Sequence, residues 1–345
     1  MNFISNIKKT GVNDQFLNLQ IENKNNEIKI SLVNALRRTM ISDIETYCID
    51  TDKVTFFENN SILNNEFLSH RLSLIPIISD NKNIDYENLT IQCIKKNNDE
   101  NIMSVYANDF ICKNNKSNEV YDNSLIFKHP SILFAKLKIN QFFSFEASLI
   151  KSTQSNSGSQ HSPVSTCVYT FSVDEEESNK VKKNMNKDEI KSFETQDIER
   201  VYSKNSKGSP KIYNFVIESI GFYESIEIFN KAIIYLIEKL NNLSKEFDSQ
   251  NSSKIILITE NIDNAEYFEF EINDENDTLG NLLSSYLLEN DTVFYSGYII
   301  KHPLNKKIEL KIKLKNENNL ENIILTIKKI NSDIVKLLEK MIQKV

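Results

Sequence analysis

The sequence predicts an α+β fold in which two similar modules pair through long helices within one chain, as an intramolecular pseudo-heterodimer. Stretches in which apolar and polar residues alternate, which is typical of strands, are interleaved with stretches of helical spacing. The succession of strand, short helix, strands and long helix occurs twice. Each long helix carries a narrow apolar stripe of the kind that packs along a partner helix. These observations together predict the paired arrangement.

The first module is predicted from two separated parts of the chain, residues 12–78 and 211–248. Residues 16–22 alternate as a strand does, and residues 28–44 then change to helical spacing. The apolar stripe of this helix consists of Val33, Leu36, Met40 and Ile44. A strand at 54–58 and a short helix with Asn64 as its N-cap follow, and Pro76 ends that helix.

A β-rich insertion is predicted between these two parts, over residues 79–210. Strand-like pieces alternate there with polar loops. Residues 152–162 have the composition of a flexible loop. Residues 174–200 are charged and nearly free of aromatic side chains, so we expect them to be exposed or mobile.

The long helices are predicted at about Ser225 to Phe247 and at the end of the second module, which spans residues 255–345. The second module opens with a strand at 267–272 and a helix that takes Asp277 as its N-cap. Two more strands precede its closing helix. The seam between the two long helices is predicted to contain Phe229, Ile233, Leu236, Leu240, Ile327, Ile334, Leu337 and Met341, with Val345 at its end.

Composition limits the class of function. The chain has 345 residues and a net charge of −7, whereas a protein that grips phosphate backbones is usually basic. Its cysteines (Cys48, Cys93, Cys112 and Cys167) form no CxxC pair, so we expect no zinc site, no disulfide framework and a reducing, intracellular compartment. No apolar run is long enough to span a membrane, and MNFISNIKKT lacks the apolar core of a signal peptide.

Catalytic motifs are absent from the sequence. There is no GxGxxG, P-loop, HExxH or GxSxG, and the four histidines lie far apart. The acidic stretch at 273–277 could hold a cation, which leaves a metal-dependent enzyme as one hypothesis. It lacks the spacing of a calcium loop, however, and a turn with a helix N-cap is the favoured interpretation.

The positions of the few arginines indicate a contact that lysine could not make equally well. Lys and Arg together number 41, but only Arg37, Arg38, Arg71 and Arg200 are arginines, and three of them lie within residues 34–43 and 70–76. A guanidinium group binds carboxylates or carbonyl oxygens as a planar fork and tolerates partial burial. The contact could be with another protein or within an internal ion-pair network, and the residues alone leave both open.

Two glycines in the second module suggest close packing. Gly280 lies just inside a predicted helix, where glycine costs roughly 1 kcal/mol relative to alanine, so a close backbone approach is a plausible reason for it. Gly297 interrupts a strand pattern and suggests a bulge or a close contact.

Several stretches resemble the α-like subunits of multisubunit DNA-directed RNA polymerases. The larger archaeal and eukaryotic α-like subunit, the D type, is similar to SLVNALRRTMISDIETYCID at 31–50, EFLSHRLSLIPI at 66–77, HSPVSTCVYTF at 161–171 and the strand and helix from Tyr213 to Leu240. The smaller, L-type partner is similar to NDTLGNLLSSYLLENDTVFYSGYIIKHPL at 276–304. A single chain with both parts resembles the fused α-like subunits of large DNA viruses such as the African swine fever virus group.

The resemblance implies a non-catalytic scaffold on which the two large catalytic subunits assemble. It implies docking to the second-largest subunit through Asn34, Arg37, Arg38, Arg71, Ser162 and Pro163. It implies that Thr278, Leu279, Gly280, Asn281, His302 and Pro303 serve the fold of the smaller module and its contact with the largest subunit. The expected partners are these two subunits and a small zinc-binding polymerase subunit.

The sequence also departs from the family pattern. Some relatives bind zinc or an iron–sulfur centre through clustered cysteines in the insertion, and the cysteine spacing here predicts no metal and no cofactor. Contact with DNA is expected to be indirect. We expect a monomer in isolation, located in host cytoplasm and virion if viral and otherwise in the nucleus. A stand-alone interaction module with the same fold is the alternative.

Overall fold

The structure is a computed structural model. It describes residues 3–11, 15–23, 25–248, 253–258, 267–316 and 319–342. Val345, which was predicted at the end of the helix seam, lies outside these ranges. Strands and helices alternate along the chain, in agreement with the predicted α+β class.

Sixteen strands and nine α-helices are formed by the described residues. The strands are β1 (Ile4–Thr10), β2 (Phe16–Glu22), β3 (Thr46–Ile49), β4 (Thr55–Asn59), β5 (Leu89–Lys96), β6 (Met103–Tyr106), β7 (Ile111–Asn114), β8 (Val120–Tyr121), β9 (Leu133–Leu137), β10 (Phe142–Ser152), β11 (Val164–Phe171), β12 (Ile212–Ser219), β13 (Ile255–Leu257), β14 (Phe268–Asn273), β15 (Val293–Ile299) and β16 (Lys307–Leu314). The helices are α1 (Ile30–Ser42), α2 (Asn65–Ser73), α3 (Asn123–Ile126), α4 (Gln154–Ser157), α5 (Glu175–Lys182), α6 (Lys187–Ser192), α7 (Ser225–Glu246), α8 (Asp277–Leu288) and α9 (Leu320–Glu339).

Two four-stranded antiparallel sheets share one strand order. The first sheet runs β1-β2-β12-β11 and the second runs β13-β14-β16-β15. Helices α1 and α8 follow the matching strands β2 and β14, and α7 and α9 follow β12 and β16. Each strand and helix of one module therefore has a counterpart in the other, which confirms that the same plan occurs twice.

A third sheet belongs to a separate hydrophobic core. Its order is β3-β10-β5-β7-β8, and β4 pairs with a second stretch of β10. The centre of this core is a group of aromatic rings, Phe110, Phe134, Phe143 and Phe145, whose centroids lie 5.3 to 6.0 Å apart. Such edge-on and offset contacts stabilise an aromatic core beyond the burial of area alone.

The boundaries of this insertion differ from the predicted range of 79–210. Its buried core extends from Ile49 to Ala147 and includes Leu68 and Leu72 of α2, with Phe56 of β4 packed against it, so α2 and β4 lie in the insertion. Strand β3 contributes to both cores, through Ile49 here and through Cys48 in the core of the paired modules. Strand β11 lies inside the predicted insertion, yet it pairs with β12 in the sheet of the first module. The partner of β3 and β4 is β10, about a hundred residues away in sequence, and such long-range pairing leaves no local pattern.

Most residues within 174–200 are exposed, as predicted, and helices α5 and α6 form there, capped by the side chains of Asp174 and Asn186. Local structure differs from the prediction in two other places. Residues 154–161, predicted to be a flexible loop, form α4 and a short 3₁₀ turn. The N-cap of α8 is Asn276 and not Asp277, and its side chain accepts a hydrogen bond from the backbone N–H of Thr278.

The long helices α7 and α9 pack against each other in a single hydrophobic core shared by both modules. The predicted seam residues are buried: Phe229, Ile233, Leu236, Leu240, Ile327, Ile334, Leu337 and Met341. A polar contact within the seam joins the two helices, where Asn331 Nδ2 donates to Ser244 Oγ at 3.0 Å. A buried polar pair of this kind favours one register of two packed helices over others.

Gly280 lies in the first turns of α8, where the ring of Tyr298 from β15 rests directly on its Cα. A Cβ at this position would lie 2.5 Å from Tyr298 Cδ2 and 2.8 Å from Cγ. These ring atoms are close to the tyrosine backbone and have little freedom to move aside. The hydroxyl of Tyr298 also donates to Asp277 Oδ1 at 3.2 Å. The close approach that the sequence suggested for Gly280 is therefore confirmed.

Replacement of Gly280 by alanine is expected to lower the free energy of unfolding by about 1–3 kcal/mol, because the new methyl group overlaps the ring of Tyr298. Urea denaturation followed by circular dichroism measures this change. Gly297→Ala is the matched control, since a Cβ there would meet the mobile hydroxyl end of Tyr295.

The same substitution in a Tyr298→Ala background tests the cause. Without the ring, alanine is expected to be neutral or to stabilise α8 by up to about 1 kcal/mol through its higher helix propensity. A cost that persists in this background would mean that the ring contact is not what requires glycine.

Candidate partner-docking surface

Helix α1 lies between three neighbours and leaves one strip of its surface accessible. It packs on α7 and β11 of its own module and on α8 of the second module. The face toward these neighbours is buried: Ser31, Leu32, Val33, Ala35, Leu36, Thr39 and Met40. Asn34, Arg37 and Arg38 are half-buried at the border of this face, where the sequence placed Arg37.

Arg38 connects the two modules. Its Nε donates a hydrogen bond to Thr278 Oγ1 at 2.7 Å, across 240 residues of sequence. Thr278 is buried at the second position of α8. Its own N–H donates to the capping side chain of Asn276 at 2.9 Å, so its position is tied to the start of that helix. The hydrogen bond therefore joins the side chain of Arg38 to the N-terminus of α8.

Arg37 makes a similar contact within its own helix. Its Nε donates to Asn34 Oδ1 at 3.0 Å, one turn earlier in α1. Both arginines thus use Nε to bind a side-chain oxygen that lies next to them. We call the surface formed by Asn34, Arg37, Arg38 and Thr278 the arginine corner.

Arg71 makes its hydrogen bonds inside the insertion, and its docking role stays a prediction. Its Nε and Nη2 donate to the backbone carbonyl oxygens of Phe134 and Leu133, at 2.9 and 2.8 Å. The guanidinium fork therefore fastens α2 to β9 inside the insertion. Of the three predicted docking arginines, only Arg37 and Arg38 lie in the arginine corner.

Ser162 and Pro163 immediately precede β11 and follow a firmly anchored histidine; Ser162 is half-buried and Pro163 is buried. His161 is fully buried, and its Nδ1 is 3.2 Å from the carbonyl oxygen of Thr46. The hydroxyl of Thr46 donates in return to the His161 carbonyl oxygen at 3.1 Å. Burial lowers the pKa of His161, so the ring is neutral and Nδ1–H donates to Thr46. This contact fixes the loop that enters β11.

The residues predicted to serve the smaller module and its contact with the largest subunit lie partly in the interior and partly on the surface. Thr278, Leu279 and Gly280 are buried, whereas Asn281, His302 and Pro303 are exposed. The turn that carries His302 lies at the start of α8, because Glu275 N–H donates to the Lys306 carbonyl oxygen at 3.2 Å. The two predicted partner surfaces therefore adjoin each other where Arg38 meets Thr278.

A buried ion cluster lies between the modules, beside the arginine corner. Glu275 of the second module is 2% exposed. Lys239 of α7 and Lys254 approach its two carboxylate oxygens at 2.8 and 3.0 Å. Burial alone would lower the pKa of Lys239, but the charge and hydrogen bond of Glu275, together with Tyr235 and Asp43, outweigh burial and the pKa is raised. Burial raises the pKa of Asp43, which lies within electrostatic range of Lys239 and Arg38.

The opposite end of α1 is also held by the second module. Lys29 Nζ lies 4.7 Å from the ring centroid of Tyr286 and 3.3 Å from Glu289. Ser285 Oγ and Ser31 Oγ are 2.5 Å apart. Helices α1 and α8 are consequently antiparallel and joined at both ends. The sequence analysis missed these contacts, since nothing local marks them.

The structure offers no metal-binding cluster in the ranges that it describes, where no three His, Cys, Asp or Glu side chains converge as ligands. The cysteines are free and buried, and burial raises the pKa of each thiol to about 12. Within the same ranges, no helix combines the length and apolar content of a transmembrane span. The acidic stretch at 273–277 forms the turn and N-cap that precede α8.

Comparison with known protein families identifies both modules. The RNA polymerase Rpb3/Rpb11 dimerisation domain matches residues 24–240 and, in a second version, residues 267–344. The chain belongs to the Rpb3/Rpb11 dimerisation family. Both matches lie on one chain, so this family member contains two α-like domains in tandem, and the structure pairs them through α7 and α9.

Individual relatives are subunits of DNA-directed RNA polymerases. The chain is 36% identical over 104 residues to DNA-directed RNA polymerase II subunit rpb3 of Dictyostelium discoideum, which covers 30% of this chain and 33% of the relative. It is 27% identical over 175 residues to RNA polymerases I and III subunit RPAC1 of Saccharomyces cerevisiae, and the match covers 41% of this chain and 50% of the relative. It is 42% identical over 50 residues to subunit Rpo3 of Pyrococcus furiosus, and the match covers 14% of this chain and 18% of the relative.

The chain spans half or less of the length of these relatives. The family membership therefore establishes the kind of domain.

The ion cluster at Glu275 provides a test of how the modules are joined. Glu275→Gln is expected to lower the free energy of unfolding by about 3 kcal/mol, because Lys239 is left largely buried without its counter-charge. Glu45→Gln is the matched control: its partner is Lys151, and both side chains are about half exposed, so the expected cost is below about 1 kcal/mol. Chemical denaturation measures both, and equal costs would contradict the proposed role of burial.

Proposed function

We propose that the chain is a non-catalytic assembly subunit of a DNA-directed RNA polymerase, which brings the two large catalytic subunits together for transcription. The observation that carries this proposal is the arginine corner. Two half-buried arginines lie on α1, the helix that packs on both of the paired Rpb3/Rpb11 domains, and the side chain of Arg38 is held by the second domain. Half-buried arginine is a frequent anchor of protein interfaces.

The division of the surface supports two large partners. The arginine corner is the proposed contact for the second-largest subunit, and Ser162 and Pro163 are proposed as further contacts of that subunit. Asn281, His302 and Pro303 form the exposed part of the proposed contact for the largest subunit. A small zinc-binding polymerase subunit is the third proposed partner.

The charge of the chain supports an indirect role in DNA binding. With a net charge of −7, the surface as a whole repels phosphate groups. We place nucleotide transfer and its metal ions on the large subunits and propose that this chain acts through assembly alone.

The origin of the chain is a further part of the proposal. Two α-like domains on one chain support a fused subunit of the kind found in large DNA viruses, which would work in host cytoplasm and in the virion. In a cellular organism the corresponding place would be the nucleus.

In isolation the chain is expected to be a monomer, because the seam between α7 and α9 is already filled from within the chain. Sedimentation equilibrium over a hundredfold range of concentration measures this. A homodimer that persists at the lowest concentration would contradict internal pairing.

The docking proposal predicts that charge alone is insufficient at the arginine corner. The double variant Arg37→Lys, Arg38→Lys is expected to weaken binding to the second-largest subunit by about tenfold or more, since lysine lacks the planar fork. Arg200→Lys is the matched control, because Arg200 is 82% exposed and pairs only locally with Asp197.

The measurement is affinity purification of the tagged full-length chain from its native context, with mass spectrometry and an assay of RNA synthesis from nucleoside triphosphates. Recovery of two very large subunits with the wild type, and their loss with the double variant, is the expected outcome. A wild-type chain that is recovered alone at both low and high salt would instead support a stand-alone interaction module.

A further inference from the structure

We propose that Thr278 and Asn34 are positioning residues, which hold Arg38 and Arg37 by their Nε atoms so that the terminal nitrogens of both guanidinium groups bind carboxylates of the second-largest polymerase subunit. This inference rests on the function proposed above. It specifies the chemistry of the contact and assigns to Thr278, a residue of the second module, a part in the docking surface of the first.

The observation behind it is the shared hydrogen-bonding pattern of the two arginines. Within the described part of the chain, Nε is the nitrogen through which each of them makes its hydrogen bond. A guanidinium group has five N–H donors in one plane, and Nε supplies a single one of them. The remaining four lie on Nη1 and Nη2, which can bind both oxygens of a carboxylate end-on.

The other two arginines show that this pattern is specific to the arginine corner. Arg71 commits both Nε and Nη2 to backbone carbonyl oxygens. Arg200 binds Asp197 through Nη1, at 2.9 Å and one turn away, on an exposed surface. In the described ranges, only Arg37 and Arg38 are partly buried, donate a hydrogen bond from Nε and have terminal nitrogens without a hydrogen-bond partner. We call the hydrogen bond at Nε the tether.

A tether at Nε reduces the conformational entropy that the arginine side chain loses when the partner binds. An arginine side chain has several rotatable bonds, and ordering them at an interface opposes association. Hydrogen bonds at Nε fix the plane of the guanidinium group before the partner arrives, while the terminal nitrogens remain available. The tether on Arg38 exists only when the second module is in place, because Thr278 supplies it.

Charge favours carboxylates as the groups that bind there. The chain is acidic overall, with a net charge of −7, so the chain as a whole repels a carboxylate-bearing partner. Arg37 and Arg38 carry two positive groups at the border of the buried face of α1. Positive groups at a defined place direct an acidic partner surface to it.

The experiment compares full-length variants by their dissociation constants for the purified second-largest subunit and by urea denaturation. Thr278→Val removes the hydroxyl and keeps the shape, and Thr278→Ser keeps the hydroxyl. Ser285→Ala is the matched control, because it removes another hydroxyl contact between α8 and α1, at the far end from Arg38. Arg38→Lys provides the background for a double-mutant cycle.

We expect Thr278→Val to weaken binding about fivefold and Thr278→Ser to restore it. Ser285→Ala should affect stability without affecting the dissociation constant. In the Arg38→Lys background, Thr278→Val should add no further loss, because the group that it positions is gone.

Two outcomes would overturn the inference in distinguishable ways. Equal losses of binding in Thr278→Val and Ser285→Ala, or no loss in Thr278→Val while Arg38→Lys weakens binding, would assign Thr278 a structural role only and leave the docking proposal intact. Unchanged binding in both Arg38→Lys and the Arg37→Lys, Arg38→Lys double variant would overturn the docking proposal itself, and the positioning role with it.

Discussion

The apolar contact between α7 and α9 is the interaction on which the rest of the structure depends. Neither module buries its long helix by itself: each helix covers one sheet with part of its surface and meets the other helix with the remainder, in one shared core. Burial of each large apolar side chain in this seam contributes roughly 1.5–3 kcal/mol. The seam therefore holds the modules together, and the Asn331–Ser244 hydrogen bond within it favours a single register.

The polar contacts around α1 follow from that pairing. Once α7 and α9 fix the modules, α8 lies antiparallel to α1 and binds it at both ends, through Tyr286 and Ser285 at one end and Thr278 at the other. The buried carboxylate of Glu275 adds a charged link to Lys239 beside the second of these contacts. The arginine corner is thus a product of the joint between modules, and its geometry is sensitive to how well they are paired.

The insertion shows how one module was elaborated while the shared plan was kept. In the second module a short connection joins α8 to β15, whereas the equivalent connection from α1 to β11 contains the six-stranded sheet and its aromatic core. The connection from β11 to β12 contains α5 and α6, where the second module has only a turn. One addition is inserted before β11 and the other after it. The sheet order and the packing of the long helices are therefore unaffected.

The sequence by itself determined the features that repeat locally. Helical and strand periodicity located α1, α7, α8 and α9 and the strands around them, and the stripes on α7 and α9 predicted their contact, because side-chain spacing directly reflects which face is buried. The scarcity of arginine also indicated Arg37 and Arg38. The tertiary structure decided which strands pair across the insertion, that Arg71 binds backbone oxygens, and that Arg38 meets Thr278. These contacts join residues far apart in the chain, and only the folded arrangement brings their atoms within hydrogen-bonding distance.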